Sequence, residues 1–259
     1  MTLEDRTVLV SGVGAGLGKE LARGALRDGA RVVLAARTEA VLEATAEELD
    51  PSGERVAWAR TDITSANDCA ALAEQAQKRF GGVDAVVQVA AYENVFGGLA
   101  DTDFEKWRRA FDTNVLGSLT LLRALVPGMK DAGRGSIVLV GSQSMYQPQL
   151  PQAGYAASKG ALLSAMYYLC DELGPDGIRV NMVVPSWMWG PPVEAFVKIR
   201  AKTEGATEAA IKGEIEGRIP LREIVPDEAV ADAALFLASD RARGVSGQTL
   251  LVNGGELMR

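Results

Sequence analysis

Short β-branched runs alternate with longer amphipathic segments along the whole chain. Residues 7–10, 31–35, 56–60, 85–89, 136–140, 179–184 and 249–252 read as seven strands. Residues 16–28, 38–49, 66–80, 103–130, 153–173 and 227–238 carry helical spacing. Strands apolar on both faces, each leading into a helix, require a parallel sheet covered on both sides. The pattern predicts a doubly wound α/β fold around a seven-stranded parallel sheet.

No repeat, low-complexity tract or linker breaks the alternation, so residues 1–259 read as a single domain. With 47% hydrophobic and 24% charged residues, the composition excludes a disordered or fibrous chain. The one irregular insert is 187–220, where Gly190-Pro191-Pro192 precedes a mixed-charge helical stretch from 193 to 217. It follows the C-terminal end of a strand, the edge at which open α/β sheets bind ligands. A mobile substrate lid is one reading, and an ordinary surface helix pair is the other.

Twenty-seven basic against 34 acidic side chains give a net charge of −7, a field that repels polyanions and argues against a nucleic-acid partner. The chain has no histidine, which excludes Ser-His-Asp and Cys-His hydrolases, histidine-ligated metals and a histidine general base. Acid/base work falls to Tyr, Lys, Asp, Glu or Cys, and no metal site is expected. Cys69 and Cys170 lie in helical surroundings and read as buried, reduced thiols. The first ten residues run directly into a strand, and no apolar stretch of about 18 residues follows, so a soluble cytoplasmic protein without a membrane partner is expected.

Three motifs carry chemistry. Ser11-Gly12-Val13-Gly14-Ala15-Gly16-Leu17-Gly18 follows the first strand and opens a helix whose amides would face an anion. The spacing is Gly12-x3-Gly16-x-Gly18 rather than G-x-G-x-x-G, but it sits where a pyrophosphate-binding turn belongs. The second strand ends Ala35-Ala36-Arg37, with no acid at Ala36 to hold a ribose 2′-hydroxyl. Arg37 would pair bidentately with a 2′-phosphate, which favours NADP(H) and leaves NAD(H) as the alternative; a loop-capping arginine is the other reading. Tyr155 and Lys159, four residues apart, share one helix face, with Ser142 at the end of the fifth strand and Asn114 on the preceding helix.

Together these features resemble the short-chain dehydrogenase/reductase family over essentially the whole chain, with Asp62 after the third strand, Gly177-Ile178-Arg179-Val180-Asn181 leading to Pro185, and the terminal Asn253-Gly254-Gly255. The resemblance implies a Rossmann-type three-layer fold, a nicotinamide cofactor, and a homotetramer or homodimer packed through the helices that carry Asn114 and Tyr155. It implies Tyr155 as general acid/base and Ser142 on the substrate oxygen. Lys159 would hold the nicotinamide ribose while lowering the tyrosine pKa, and Asn114 would position a relay water. Cofactor contacts would come from Gly12, Gly16, Leu17, Gly18, Arg37, Asp62, Ile63, Ala90, Tyr155, Lys159, Pro185 and Met188. The chain departs from the family at Gln88-Val89-Ala90-Ala91, where Asn-Asn-Ala-Gly is usual, and at Ser186, where glycine follows the proline.

Met145, Tyr146, Trp187, Met188 and Trp189 fall near the expected substrate mouth. The two tryptophans within three residues predict either an apolar pocket wall or a plug between subunits. The expected function is hydride transfer between a nicotinamide cofactor and a secondary alcohol or ketone, bulky and apolar. A cofactor-binding scaffold without turnover is the alternative on the same fold.

Overall fold

In the computed structural model, which describes residues 2–259, the elements follow the alternation read from the sequence. In chain order they are β1 (Thr7–Ser11), α1 (Leu17–Arg27), β2 (Arg31–Ala36), α2 (Glu39–Leu49), β3 (Val56–Arg60), α3 (Ala66–Phe80) and β4 (Ala85–Gln88). There follow α4 (Phe104–Phe111), a π-helical turn (Asp112–Gly117), α5 (Ser118–Asp131), β5 (Gly135–Val140), α6 (Ala153–Leu173) and β6 (Ile178–Pro185). The chain closes with β7 (Met188–Trp189), α7 (Pro191–Glu204), α8 (Glu208–Arg218), β8 (Val225–Pro226), α9 (Asp227–Ala238) and β9 (Thr249–Val252).

The main sheet has seven strands in the order β3-β2-β1-β4-β5-β6-β9, and all six pairings are parallel. Successive strand residues face opposite layers. Val8, Val10, Val32 and Leu34 pack with Leu21 and Ala25 of α1 and Val230 and Leu235 of α9. Leu9, Val33 and Val86 pack with Leu72 of α3, Leu121 and Leu125 of α5 and Leu162 and Met166 of α6. Each strand is thereby apolar on both faces, as a sheet between two helical layers requires. The order reverses between β1 and β4, and a crevice opens beyond their carboxyl ends.

Two elements differ from the sequence expectation. The helix expected over 103–130 is interrupted by the π-helical turn, within which Asn114 Nδ2 donates to Tyr92 O outside the helix and Asn114 O accepts from Ser118 Oγ. The insert is not a single helical stretch. Gly205, at φ +66°, separates α7 from α8, and Met188–Trp189 pairs in parallel with Val225–Pro226. Val197, Ala201, Ile211, Ile215, Ile219 and Ile224 form a small core of their own beneath the insert. Cys69 is buried, which pushes its thiol up to about 11, while Cys170 is only partly buried, with its sulfur 3.1 Å from Ser246 Oγ. No helix among the described residues is long and apolar enough to cross a membrane.

Candidate active site

A cleft of about 1330 Å³ lies over the reversal point of the sheet. Its floor is the glycine turn between β1 and α1. Gly12 adopts φ +85°, and a Cβ there would fall 2.3 Å from Ala90 N, so glycine alone permits both the turn and the approach of the β4 loop. Gly16 precedes α1 with no side chain capping the helix, which leaves its first amides facing the cleft. Leu17 also lines it. Gly18 does not: it serves packing, since a Cβ there would lie 2.6 Å from Gly12 O.

The β4 loop is held by Gln88, which is 2% exposed. Its Oε1 accepts from Ser11 Oγ, and its Nε2 donates to Ala90 O at 3.1 Å and to Ser118 Oγ at 2.7 Å. One longer amide therefore ties β1, the β4 loop and α5, and the family's Asn-Asn-Ala-Gly is not needed to bring Ala90 against Gly12. At the far end of the cleft Arg37 is exposed and has no hydrogen-bond or ion-pair partner among the described residues. Asp62 nearby is held below the usual carboxylate range by hydrogen bonds from the Thr64 hydroxyl and amide, with Arg37 adding to the effect. Ile63, Ala90, Pro185 and Met188 line the same cleft.

At the other end β5 delivers Ser142, which caps a short 3-10 turn over Gln143–Met145, and the first turns of α6 deliver Tyr155 and Lys159. Lys159 is 2% exposed, and its Nζ donates to Val140 O at 2.7 Å. Burial pulls its ammonium down to about 8 against a weaker opposing effect of Glu93. The Nζ lies 5.7 Å from the centre of the Tyr155 ring. Burial also raises the Tyr155 phenol, Glu93 raises it further, and Ser142 pulls the other way. Burial is the largest of these effects, and in the cofactor-free protein the phenol sits above its ordinary range.

Asn114 does not reach the cleft. It is 1% exposed, its Oδ1 accepts from Tyr92 N at 2.6 Å, and its Nδ2 donates to Tyr92 O at 3.0 Å and Ser158 Oγ at 2.8 Å. Ser158 Oγ in turn donates to Tyr155 O at 2.7 Å, so the side chain of Asn114 braces the turn that carries Tyr155 and has no donor left for a water.

The substrate-side expectations divide. Trp187 lines the cleft and stacks at 5.3 Å on Phe196, which lines it as well. Met145, Tyr146 and Trp189 do not line it. Met145 turns inward toward Gly141 beside Met182, Tyr146 lies under the Arg259 guanidinium at 4.2 Å, and Trp189 faces the insert core with Lys212 at 4.4 Å from its ring. Sequence reading missed Glu93, Gln149, Leu150, Phe196, Ile199 and Asp227, all in the lining. The i, i+3 spacing of Val193, Phe196 and Ile199 was a usable signal; nothing local marked Glu93 or Gln149. Asp227 has its carboxylate beside Gly16 and Gly190, and burial raises its carboxyl above the usual range.

An uncapped helix start behind a close-packed glycine turn, an unpaired Arg37 and a Ser-Tyr-Lys group across the same crevice fit a nicotinamide dinucleotide, and together they define a doubly wound dinucleotide-binding oxidoreductase. The family described as enoyl-(acyl carrier protein) reductase matches residues 12–256. The dehydrogenase/reductase SDR family member 4 of Sus scrofa is 31% identical over 258 residues, covering 99% of this chain and 89% of that protein. The 7alpha-hydroxysteroid dehydrogenase of Escherichia coli K12 is 30% identical over 262 residues, covering 98% and 95%. A solved short-chain dehydrogenase/reductase from Brucella melitensis, titled glucose/ribitol dehydrogenase, superposes with a TM-score of 0.88 at 30% identity, covering 100% of this chain and 99% of the other. The chain belongs to the short-chain dehydrogenase/reductase family and is an NAD(P)-dependent oxidoreductase acting on a small molecule.

Proposed function

We propose that the protein interconverts a bulky, largely apolar secondary alcohol and its ketone, with NADP(H) preferred over NAD(H) and Tyr155 exchanging the substrate proton. The observation that carries the reading is the meeting of Ser142, Tyr155 and buried Lys159 at one end of a cleft whose wall holds Leu150, Trp187, Phe196 and Ile199. The bound nicotinamide supplies or accepts the hydride. Gly12, Gly16, Leu17, Ile63, Ala90, Pro185 and Met188 would hold the cofactor, with Arg37 on its 2′-phosphate.

Ser142 Oγ donates to the substrate oxygen. The phenol of Tyr155, held protonated at neutral pH by burial, is in the form that gives its proton to a forming alkoxide. For the reverse reaction the phenol must be lowered. A protonated Lys159, on the same helix face and with its Nζ 5.7 Å from the centre of the ring, acts in that direction by favouring the phenolate.

The apolar wall supports a ring-bearing substrate, and a relative at 30% identity is named as a hydroxysteroid dehydrogenase. No cation of the insert lines the cleft: Arg200 is paired with Glu204 and Glu214, Arg218 with Glu214, and Lys198, Lys202 and Lys212 stand outside its lining. Glu93 places a carboxylate within reach of Tyr155. The helices over 191–218, on their own small core, form a lid on a body that is otherwise one dinucleotide-binding domain. Exposed Leu116 and Tyr168 suit a dimer or tetramer packed through the helices that carry Asn114 and Tyr155. The deciding experiment compares kcat/KM for cyclic ketones with that for matched keto acids, with NADPH, in wild type and Trp187→Ala. A preference of tenfold or more for the ketones, lost in the variant, is expected; preference for the keto acids overturns the reading.

A further inference from the structure

Far from the glycine turn, a carboxylate near the end of the chain joins two loops that wall the cleft. Glu256, four residues beyond β9, accepts from Gln143 Nε2 at 3.1 Å and Gln149 Nε2 at 3.0 Å, and from Ser186 Oγ. Gln149 Nε2 also donates to Ser186 Oγ at 3.1 Å. The carboxylate has no Lys or Arg within ion-pair distance among the described residues, so three neutral donors satisfy it. Carboxylate oxygens accept only, and a hydroxyl and two carboxamides converging on one group leave it no position for a donor.

The glutamate is itself held in place. Asn253, 4% exposed, donates from Nδ2 to Gln143 Oε1 at 2.7 Å and to Leu257 O at 3.0 Å, and Glu256 N returns to Asn253 O at 3.1 Å. Gln143 is fully buried and adjoins Ser142; Ser186 adjoins Trp187; Gln149 and Ser186 both face the cleft. Ser186 is the position at which this chain departs from the family's glycine, and its hydroxyl is one of the three donors.

We propose that Glu256 is a positioning residue that fixes the Ser142 loop against the Trp187 loop and so sets the width of the substrate end of the cleft. It does not itself line the cleft. Its effect passes through Gln143 to the loop that presents Ser142, and through Ser186 to the wall that presents Trp187. The inference rests on the reading that this end of the cleft receives the substrate, but its first test does not.

Glu256→Gln keeps shape and turns an amide donor toward groups that are themselves donors. In protein without cofactor or substrate, hydrogen–deuterium exchange of peptides covering 143–150 and 186–190 should accelerate together by about tenfold, with β1 and α1 unchanged. Exchange that stays as in wild type, or rises only beyond residue 253, overturns the proposal whatever the activity. With NADPH and cyclohexanone as probes, KM should rise about tenfold while kcat stays within about threefold and NADPH affinity is unaltered. In a Ser186→Ala background the same substitution should raise KM by less than half as much, because the shared contact is already gone. A loss of NADPH affinity equal to the rise in KM would mean general loosening and sink the idea. Absence of cyclohexanone turnover in wild type would count against the proposed function alone, and the exchange result still decides the role of Glu256.

Discussion

The carboxamide nitrogen of Gln88 lies 2.7 Å from Ser118 Oγ, and that hydroxyl donates in turn to Asn114 O at 2.8 Å. Through Asn114 and Ser158 the chain of hydrogen bonds runs on to the backbone of Tyr155, and in the other direction Gln88 reaches Ser11 beside the glycine turn. The two ends of the cleft are thus braced by one buried polar path. Such paths are costly to break, because each orphaned group keeps its desolvation penalty.

Gln88→Leu should therefore destabilise the protein by about 2–4 kcal/mol, leaving Ser11 Oγ and Ala90 O without their present partner. Urea unfolding measures it. The same variant should weaken NADPH binding, since Ala90 is no longer held against Gly12; a change below about 0.5 kcal/mol would contradict the brace.

Tyr155→Phe should lower kcat by roughly 10²-fold or more while NADPH affinity changes little, because only the transferable proton is removed. Steady-state kinetics beside fluorescence titration of the cofactor separate the two. Retention of more than a tenth of wild-type kcat would assign the proton to another group.

Arg37→Ala should weaken NADPH far more than NADH, by about tenfold or more, since a charge-assisted pair with phosphate is worth roughly 1.5–3 kcal/mol. Titration of both cofactors against both proteins reads this directly. Tighter binding of NADH than NADPH by the wild type would make Arg37 a loop residue.

Burial lowers Lys159 to about 8 from 10.5 in the unfolded chain. Between those pH values the unfolded chain binds the extra proton, so the stability of the cofactor-free protein should rise with pH across that window, by an amount on the order of 3 kcal/mol. Above about 10 the raised phenol of Tyr155 acts in the opposite sense, because the folded state keeps a proton that the unfolded chain releases. Subtracting the pH profile of Lys159→Met from that of wild type isolates the lysine. A flat difference between pH 8 and 10 would show that Lys159 is not desolvated.

What the sequence alone determined are the features whose causes are local. The continuous apolar run over 32–35 makes a strand buried on both faces, Gly12 marks a backbone turn that other residues resist, and the spacing of Tyr155 and Lys159 puts both on one helix face because 3.6 residues make a turn. The parallel sheet and the family followed from those. Only the tertiary structure decided which side chains enter the cleft. Trp187 lines the cleft and Trp189, two residues on, does not, although both pack against the insert core: Met188–Trp189 is drawn into pairing with Val225–Pro226, and Trp187 lies outside that pairing. Gln143 meets Glu256 across 113 positions, a contact that no local pattern encodes. The opposite displacements of Tyr155 and Lys159 likewise depend on how completely distant segments exclude water, and desolvation is a property of the packed molecule rather than of any stretch of its chain.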